Sequence, residues 1–255
     1  MLGHAQYVPK IQVCSGIVFH LQNFSPYPLP VSKCVAKFVP KSLKAIDSMV
    51  FQADDKLNKT AMQTTDNVKR LEIMQRIHKS LTNGIRSAKA HTPRTWLKNK
   101  ALSIEATGAV FNSGQIHHHK AQSFKDELAS VGFLKQSNVG TNMGQIPYTV
   151  FGIYSIVFPL RDEQGRVVNF YAIGIDNDKT AYLNTEGIYP AYPHSQTRRL
   201  YVTENIFDAA TLLESKVLDN RDAVISLHDK EMLYQHRQAI ESLKHLEEII
   251  LIENS

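Results

Sequence analysis

The 255-residue sequence predicts an α/β protein, in which an α+β lobe is followed by a parallel β-α-β-α-β core. Three observations predict this class. An amphipathic helical pattern begins near Thr65, a two-residue apolar alternation follows Gly152, and strand and helix patterns alternate from Arg198 onward. We therefore predict three regions, a poorly specified leader over 1–64, the lobe over 65–197 and the parallel core over 198–255.

The lobe begins with a helix, because apolar residues recur every three or four positions between Val68 and Leu81. Short helices are predicted over RTWLKNKALSIEATGAVF, where Ser103 can cap the second of a pair, and over SFKDELASVGFL. The segments YSIVFPL, VVNFYAIGI and AYLNT are separated by the turns RDEQGR and DNDKT. This series of strands and turns predicts an antiparallel meander.

The core is predicted from five consecutive segments that alternate strand and helix: LYVTE, IFDAATLLESKVL, AVISLH, KEMLYQHRQAIESLKHL and EEIILI. Such alternation indicates parallel strands joined by crossover helices. The first strand ends at Glu204, and the helix that follows carries Asp208 in its first turn. Since α/β proteins bind ligands at the carboxyl ends of their strands, these two acids are candidate site residues.

The formal net charge of +5 favours a polyanionic partner. Between positions 69 and 100 only Glu72 is acidic, and the basic residues are Lys69, Arg70, Arg76, Lys79, Arg86, Lys89, Arg94, Lys98 and Lys100. A solvated helix face is the first interpretation of this run, and phosphate contact is the alternative. Two cysteines are too few for a disulfide framework, and no apolar run has the length of a membrane span or of a signal peptide. We expect a cytoplasmic protein without membrane contact.

The stretch LYVTENIFDAATLL resembles the first strand and helix of a TOPRIM domain, the metal-binding α/β module of bacterial-type primases, topoisomerases and some nucleases. In that family a glutamate ends the strand and an aspartate follows four residues later. Glu204 and Asp208 take these places, and Asn205 replaces the usual glycine. Asparagine tolerates positive φ, so this replacement is mild.

The resemblance extends upstream, where the motifs FP at 158–159, GRV at 165–167 and YLN at 182–184 follow the order found in bacterial DnaG-type primases. The segments VFNSGQIHHH and GIYPAYP are similar to primase variants carried on bacterial mobile elements. The resemblance covers about residues 65–255. It favours the primase branch of TOPRIM proteins.

This resemblance implies synthesis of short RNA primers on single-stranded DNA from ribonucleoside triphosphates, with Mg²⁺ or Mn²⁺ as cofactor and a replicative helicase as a further partner. It implies that Glu204 and Asp208 are catalytic and metal-binding residues, with Glu253 as a weaker metal ligand. The candidates for nucleic-acid contact are Lys98, Lys100, Arg166, Lys179, Arg198 and Arg199.

The sequence also departs from the primase pattern. No Cys-x-x-Cys occurs in residues 1–60, so the usual zinc ribbon is missing or decayed and zinc is not expected. Ala181 stands where many primases have a lysine. Glu253 and Asn254 stand where an Asp-x-Asp motif completes the metal site, as if the chain were cut off within TOPRIM.

We therefore expect weak or no catalysis by this chain, since too few carboxylates remain to hold the ion. The alternatives are a non-catalytic remnant that binds single-stranded DNA and a TOPRIM nuclease. The triplet His117, His118 and His119 is interpreted as a polar turn, because three consecutive histidines cannot converge on one regular helix face.

Overall fold

The computed structural model describes residues 35–38, 62–137 and 148–252, with side chains from residue 67 onward. These residues form an α/β protein, as the sequence predicts. The chain divides into two compact units, Asp54–Tyr192 on the one hand and Met1–Ala53 with Pro193–Ser255 on the other. Most of the predicted leader and the candidate ligand Glu253 lie outside the described residues. The first described element is the strand β1 (Val35–Phe38).

The described part of the unit Asp54–Tyr192 contains four helices, which are α1 (Met62–Arg86), α2 (His91–Asn99), α3 (Ile104–Thr107) and α4 (Gln122–Ser130). The long α1 buries the apolar face that the periodicity predicts, including Ile73, Met74 and Ile77. Ser103 caps α3 as predicted, since its hydroxyl accepts a hydrogen bond from the backbone amide of Ala106 over 3.2 Å. The helix pair predicted around Ser103 is therefore present.

The strands of this unit form a four-stranded antiparallel sheet and a separate hairpin. They are β2 (Val110–Asn112), β3 (Leu134–Gln136), β4 (Tyr148–Val150), β5 (Ser155–Arg161), β6 (Val167–Gly174) and β7 (Thr180–Tyr182). The sheet has the order β2-β5-β6-β7, and β3 pairs with β4. Helix α1 packs on the sheet through a shared core that includes Leu81, Val157 and Phe170. The predicted meander is thus the framework against which the long helix is buried.

The helical prediction across RTWLKNKALSIEATGAVF is wrong at its end, where β2 is a strand. Gly108 ends α3 in the left-handed conformation with φ +65°, and its amide donates to the carbonyl of Ile104 over 2.9 Å. The next residues extend and pair antiparallel with β5. The pairing partner lies more than 40 residues away, so local periodicity does not indicate this strand.

The second unit contains the parallel core. Its elements are β8 (Arg199–Thr203), α5 (Ile206–Glu214), β9 (Asp222–Ser226), α6 (Tyr234–Glu241) and β10 (Glu248–Ile252). The sheet has the order β1-β10-β8-β9, with β10 and β9 parallel to β8 and β1 antiparallel to β10. The chain therefore passes from β8 to its neighbour on one side, β9, and then to its neighbour on the other side, β10.

Both core helices are shorter than the sequence predicts. Helix α5 ends at Glu214, and Lys216 then adopts a positive φ of 56°, which a helix does not continue through. Helix α6 begins at Tyr234, because Asp229 and Lys230 form a tight turn with φ values of 48° and 74°. Within the described residues, no helix is both long and apolar enough to cross a membrane.

Candidate functional site

The candidate site lies at the carboxyl edge of the parallel sheet. Strand β8 occupies the middle of the three parallel strands, and its last residue Thr203 pairs in register with Ile252 on one side and Ser226 on the other. Because the chain runs from β8 to one neighbour and then to the other, the strand order reverses here. Open α/β sheets bind ligands in the crevice that such a reversal creates. Glu204 is the residue that follows β8 at this edge.

The Glu204 carboxylate lies beside a lysine ammonium. Its Oε2 is 3.1 Å from Lys230 Nζ, and the Glu204 side chain is 20% exposed whereas that of Lys230 is 70% exposed. Oε2 itself is buried, and no described donor reaches it with hydrogen-bond geometry. The contact with Lys230 is therefore an electrostatic one, made by a flexible side chain to an oxygen that has lost its water.

Lys230 is positioned by the turn that follows β9. His228 and Glu231 exchange two backbone hydrogen bonds, of 3.1 and 2.9 Å, across Asp229 and Lys230. Positive φ at both central residues is the requirement of a type I′ turn, which usually selects asparagine, aspartate or glycine. The backbone amide of Lys230 also donates to the carbonyl of Glu204 over 3.0 Å. The turn therefore holds the lysine directly against the acid.

Asp208 faces the start of its own helix. Asn205 Oδ1 accepts a hydrogen bond from the Asp208 amide over 3.0 Å, and Asn205 Nδ2 donates to Asp208 Oδ2 over 2.8 Å. Asn205 has φ −142°, so it is an extended N-cap rather than a residue of positive φ, as the sequence argument supposed. This difference arises because a side-chain cap needs extended backbone. The Asp208 side chain, which is buried, completes the capping arrangement.

These contacts test whether the described residues fit a divalent ion. Mg²⁺ is held by oxygen ligands that are free to face the ion. Glu204 faces the Lys230 ammonium, and Asp208 accepts from the Asn205 amide. Among the described residues, no three acidic, histidine or cysteine side chains converge in a way that would hold a metal. The described part of the edge does not fit Mg²⁺ or Mn²⁺.

Arg198 and Arg199 lie at the opposite end of β8. Arg199 and Glu204 are five positions apart, which corresponds to about 16 Å along a strand. Arg199 donates from Nε to Asp222 Oδ1 over 2.8 Å and from Nη2 to Asp222 Oδ2 over 2.7 Å. Arg198 Nη1 lies 3.1 Å from Glu247 Oε1. The structure does not bring these two arginines together with Glu204.

Arg199 is also bonded to a second carboxylate, since its Nη2 donates to Asp219 Oδ2 over 2.7 Å. The hydrogen bonds with Asp222 are the main cause that raises the pKa of the Arg199 guanidinium above its usual range, and the charges of Asp222 and Asp219 act in the same direction. This guanidinium is held in place by protein carboxylates. Contact with a nucleic acid would have to compete with them.

The other four nucleic-acid candidates lie in the unit Asp54–Tyr192. Lys98 and Lys100 are exposed at the end of α2, where Lys100 Nζ lies 5.6 Å from the centre of the Trp96 ring. Arg166 is paired across the β5–β6 turn, with Nε 2.7 Å from Asp162 Oδ2. Lys179 is exposed in the turn before β7. Lys98, Lys100 and Trp96 thus combine two cations with an aromatic ring on one short segment.

Part of the basic run on α1 and α2 is committed to packing. Arg70 bonds to Glu186, Arg76 bonds to Glu127 and lies over the Phe124 ring, and Arg94 donates to the carbonyls of Ile85 and Ser87 near the end of α1. These three side chains join elements of the same unit. Besides residues that are solvated or available for phosphate contact, the basic run therefore contains arginines that stabilise the unit.

Sequence reasoning missed Lys230 as a member of the site. The pattern KEMLYQHRQAIESLKHL places it at the start of a predicted helix, 26 residues after Glu204. Only the parallel pairing of β8 with β9 and the left-handed turn bring the two residues together. A weak local signal exists, because aspartate at position 229 suits a tight turn directly after a strand.

The structure of this chain matches known proteins, whereas its sequence does not. No protein-family model matches the sequence, and no curated protein matches it. The structure is similar to a DnaG primase catalytic domain bound to ssDNA, with a TM-score of 0.58 and 16% identity over 71% of this chain and 60% of that chain. This chain has the fold of a DnaG primase catalytic core.

Two further primase structures give the same result. A DNA primase domain from Pseudomonas aeruginosa matches with a TM-score of 0.56 and 14% identity, over 68% of this chain and 58% of that one. The RNA polymerase domain of Mycobacterium tuberculosis DnaG, in complex with a double-stranded DNA oligomer with a 6-nucleotide overhang, matches with a TM-score of 0.54 and 13% identity. The matched region covers 70% of this chain and 60% of the Mycobacterium chain. The chain thus spans about 60% of the length of these primase structures, and the likeness is one of fold.

Proposed function

We propose that this chain is a primase-related protein that binds single-stranded DNA and synthesises RNA primers weakly or not at all. The observation that carries the proposal is its primase-core fold, which is similar to that of a DnaG domain bound to ssDNA. The net charge of +5 is consistent with a polyanionic partner. Primer synthesis, with ribonucleoside triphosphates, a divalent metal and a replicative helicase, is the parent activity that the fold suggests.

The ammonium at Glu204 favours DNA binding over primer synthesis. Phosphoryl transfer of the primase type needs metal ions that neutralise the triphosphate and align it with the attacking hydroxyl. The acid that would contribute to such a site already lies against Lys230, and Asp208 is engaged by the Asn205 side chain. Binding of a DNA backbone has no such requirement, because it depends on lysine and arginine side chains and on stacking.

The segment proposed to contact DNA is the end of α2. Lys98 and Lys100 are exposed there, and Lys100 lies over the half-buried Trp96 ring. Cations beside an aromatic ring are the combination that single-strand-binding proteins use to hold the backbone and stack a base. Arg166, by contrast, is held by Asp162, so it is a weaker candidate. Lys179 remains a second exposed candidate in the same unit.

Fluorescence anisotropy with a labelled single-stranded oligonucleotide tests this proposal. We expect salt-sensitive binding that needs no Mg²⁺. The double variant Lys98→Gln/Lys100→Gln should weaken binding roughly tenfold at 0.1 M salt and reduce the slope of log K against log salt by about 1.4, if each lysine neutralises one phosphate.

The matched control is Lys216→Gln/Lys244→Gln, which removes the same charge at two exposed positions of the other unit. It should change the affinity less than twofold. Equal weakening by both double variants would show that net charge alone attracts the DNA and would remove the end of α2 from the proposal. A folded wild-type chain that does not bind DNA would overturn the proposed function itself.

A further inference from the structure

We infer that Lys230 is the resident cation of Glu204 and keeps divalent metal ions away from this acid. Glu204 and Lys230 would then form a charge-neutral pair, where the primase fold implies a metal ligand. This inference concerns Glu204 alone, and it stands whether or not the chain binds DNA.

First, Glu204 needs a cation beside it. Oε2 is buried, and among the described residues no donor gives it a well-formed hydrogen bond. A carboxylate that has lost its hydration is costly unless a positive charge lies beside it. A divalent ion would satisfy this need in a metal-dependent enzyme. Here Lys230 Nζ lies 3.1 Å from the buried oxygen.

Second, the backbone fixes the position of Lys230. An exposed lysine paired with a surface acid is held only weakly, and 70% exposure of Lys230 would by itself suggest such a pair. The Lys230 amide, however, donates to the Glu204 carbonyl over 3.0 Å. The backbone bond fixes the root of the side chain next to the acid, so the ammonium needs little reordering to reach it.

Third, the backbone of the turn that carries Lys230 is strained. Asp229 and Lys230 adopt φ values of 48° and 74°, and lysine has no side-chain group that favours this conformation. Glycine at position 230 would make the same turn without strain. Residues held in sparsely populated backbone conformations are frequent at functional sites. A lysine at this position is therefore better explained by its charge beside Glu204 than by the needs of the turn.

A metal ion and the ammonium cannot share this oxygen. Two positive groups within about 4 Å of one another repel strongly in a partly buried site, and a divalent ion doubles the effect. Lys230 would have to swing into solvent before a metal could bind. Its presence therefore lowers the affinity of Glu204 for any divalent cation, and removal of its charge should raise that affinity.

Binding of Mn²⁺ to the full chain tests this inference. Binding is measured as the loss of the electron paramagnetic resonance signal of the free ion. We compare the wild type with Lys230→Met, which keeps much of the side-chain volume and offers no strong metal ligand. Lys230→Met should bind one Mn²⁺ at least about tenfold more tightly than the wild type does. The double variant Lys230→Met/Glu204→Gln should lose that gain.

Two control variants and one replacement variant accompany this comparison. Lys244→Met removes the same charge at an exposed position of the same unit and should leave Mn²⁺ binding unchanged. Lys230→Arg keeps a cation at the turn and should bind Mn²⁺ as weakly as the wild type. If Lys230→Met does not fold, as judged by circular dichroism, Lys230→Gly replaces it, because glycine accepts the positive φ of this position.

Two results would overturn the inference. One is a wild-type chain that already binds Mn²⁺ in a way abolished by Glu204→Gln, which would show that the lysine does not exclude the ion. The other is a folded Lys230→Met or Lys230→Gly variant with no gain in affinity. Neither result depends on DNA, so they are distinguishable from a failure of the proposed function.

Discussion

The two ends of β8 each carry an ion pair, and the two pairs are built differently. At the amino end, Arg199 makes two parallel hydrogen bonds to Asp222 and a third to Asp219, and the Asp222 side chain is 2% exposed. At the carboxyl end, Glu204 has one ammonium at 3.1 Å, without hydrogen-bond geometry, from a lysine that is 70% exposed. One pair is fixed by its geometry, and the other is held by the backbone of a turn.

This difference separates a structural charge from a functional one. A planar guanidinium that meets a buried carboxylate with two bonds locks the register of adjacent strands, here β8 with β9. A single flexible ammonium on an exposed side chain contributes less to stability. Arg199, although basic and close to Glu204 in sequence, thus belongs to the framework. Glu204 belongs to the part of the sheet that can respond to a ligand.

The largest expected effect concerns pH at the carboxyl edge. Burial, together with the nearby His228, lowers the pKa of His236 from its ordinary value of 6.5 to about 4, although its hydrogen bonds to the backbone of Ser226 and Leu233 act in the opposite direction. His236 bonds to the Leu233 amide over 3.0 Å and to the backbone of Ser226 at the end of β9. Since the folded pKa lies below the unfolded one, His236 stabilises the protein fully above pH 6.5. This contribution, about 3 kcal/mol, is lost as the pH falls from 6.5 to about 4.

Urea unfolding between pH 7.5 and pH 4 measures this loss. His236→Gln has no titrating imidazole, so its free energy of unfolding should depend less on pH over this window than that of the wild type. Parallel pH profiles of the two proteins would contradict the role assigned to His236.

The next effect compares the two pairs directly. Arg199→Met should lower the free energy of unfolding by about 2 kcal/mol, because it leaves the buried Asp222 carboxylate without its cation, while the partial exposure of Arg199 moderates the loss. Lys230→Met, the matched change at the other end, should lower it less, by about 1 kcal/mol, because the Glu204 side chain is 20% exposed and can regain contact with water. Urea unfolding at pH 7.5 checks both values. Equal losses at the two ends would show that the Glu204–Lys230 pair is as strong as the Arg199–Asp222 pair, and would contradict this comparison.

Most of the fold could be predicted because its signals are local. The alternation of strands and helices after Arg198 predicts β8 to β10 with their crossover helices, and the two-residue pattern predicts β5 and β6. The strand β2 was missed because only its distant partner β5 makes it a strand. The pairing of β1 with β10 was missed for the same reason, since about 210 residues separate them.

The candidate site could be predicted only in part. The position of Glu204 at a strand end follows from the pattern, and so does Asp208 in the first turn of a helix. The partners of these acids do not follow, because they depend on the three-dimensional course of the chain. Lys230 reaches Glu204 through a left-handed turn that interrupts a helical pattern, and Asn205 turns Asp208 into part of a cap. Charge alone likewise could not separate Arg199 from the exposed lysines.

Incorporation of labelled ribonucleotides on a single-stranded DNA template with Mg²⁺, compared between the wild type and Glu204→Gln, tests most directly whether Glu204 supports primer synthesis. Both proteins must first be shown to be folded and to bind the template. We expect both proteins to bind DNA and neither to show ribonucleotide incorporation that depends on Glu204. Primer synthesis by the wild type that disappears in Glu204→Gln would contradict this expectation, and would show that a metal displaces Lys230 during the reaction.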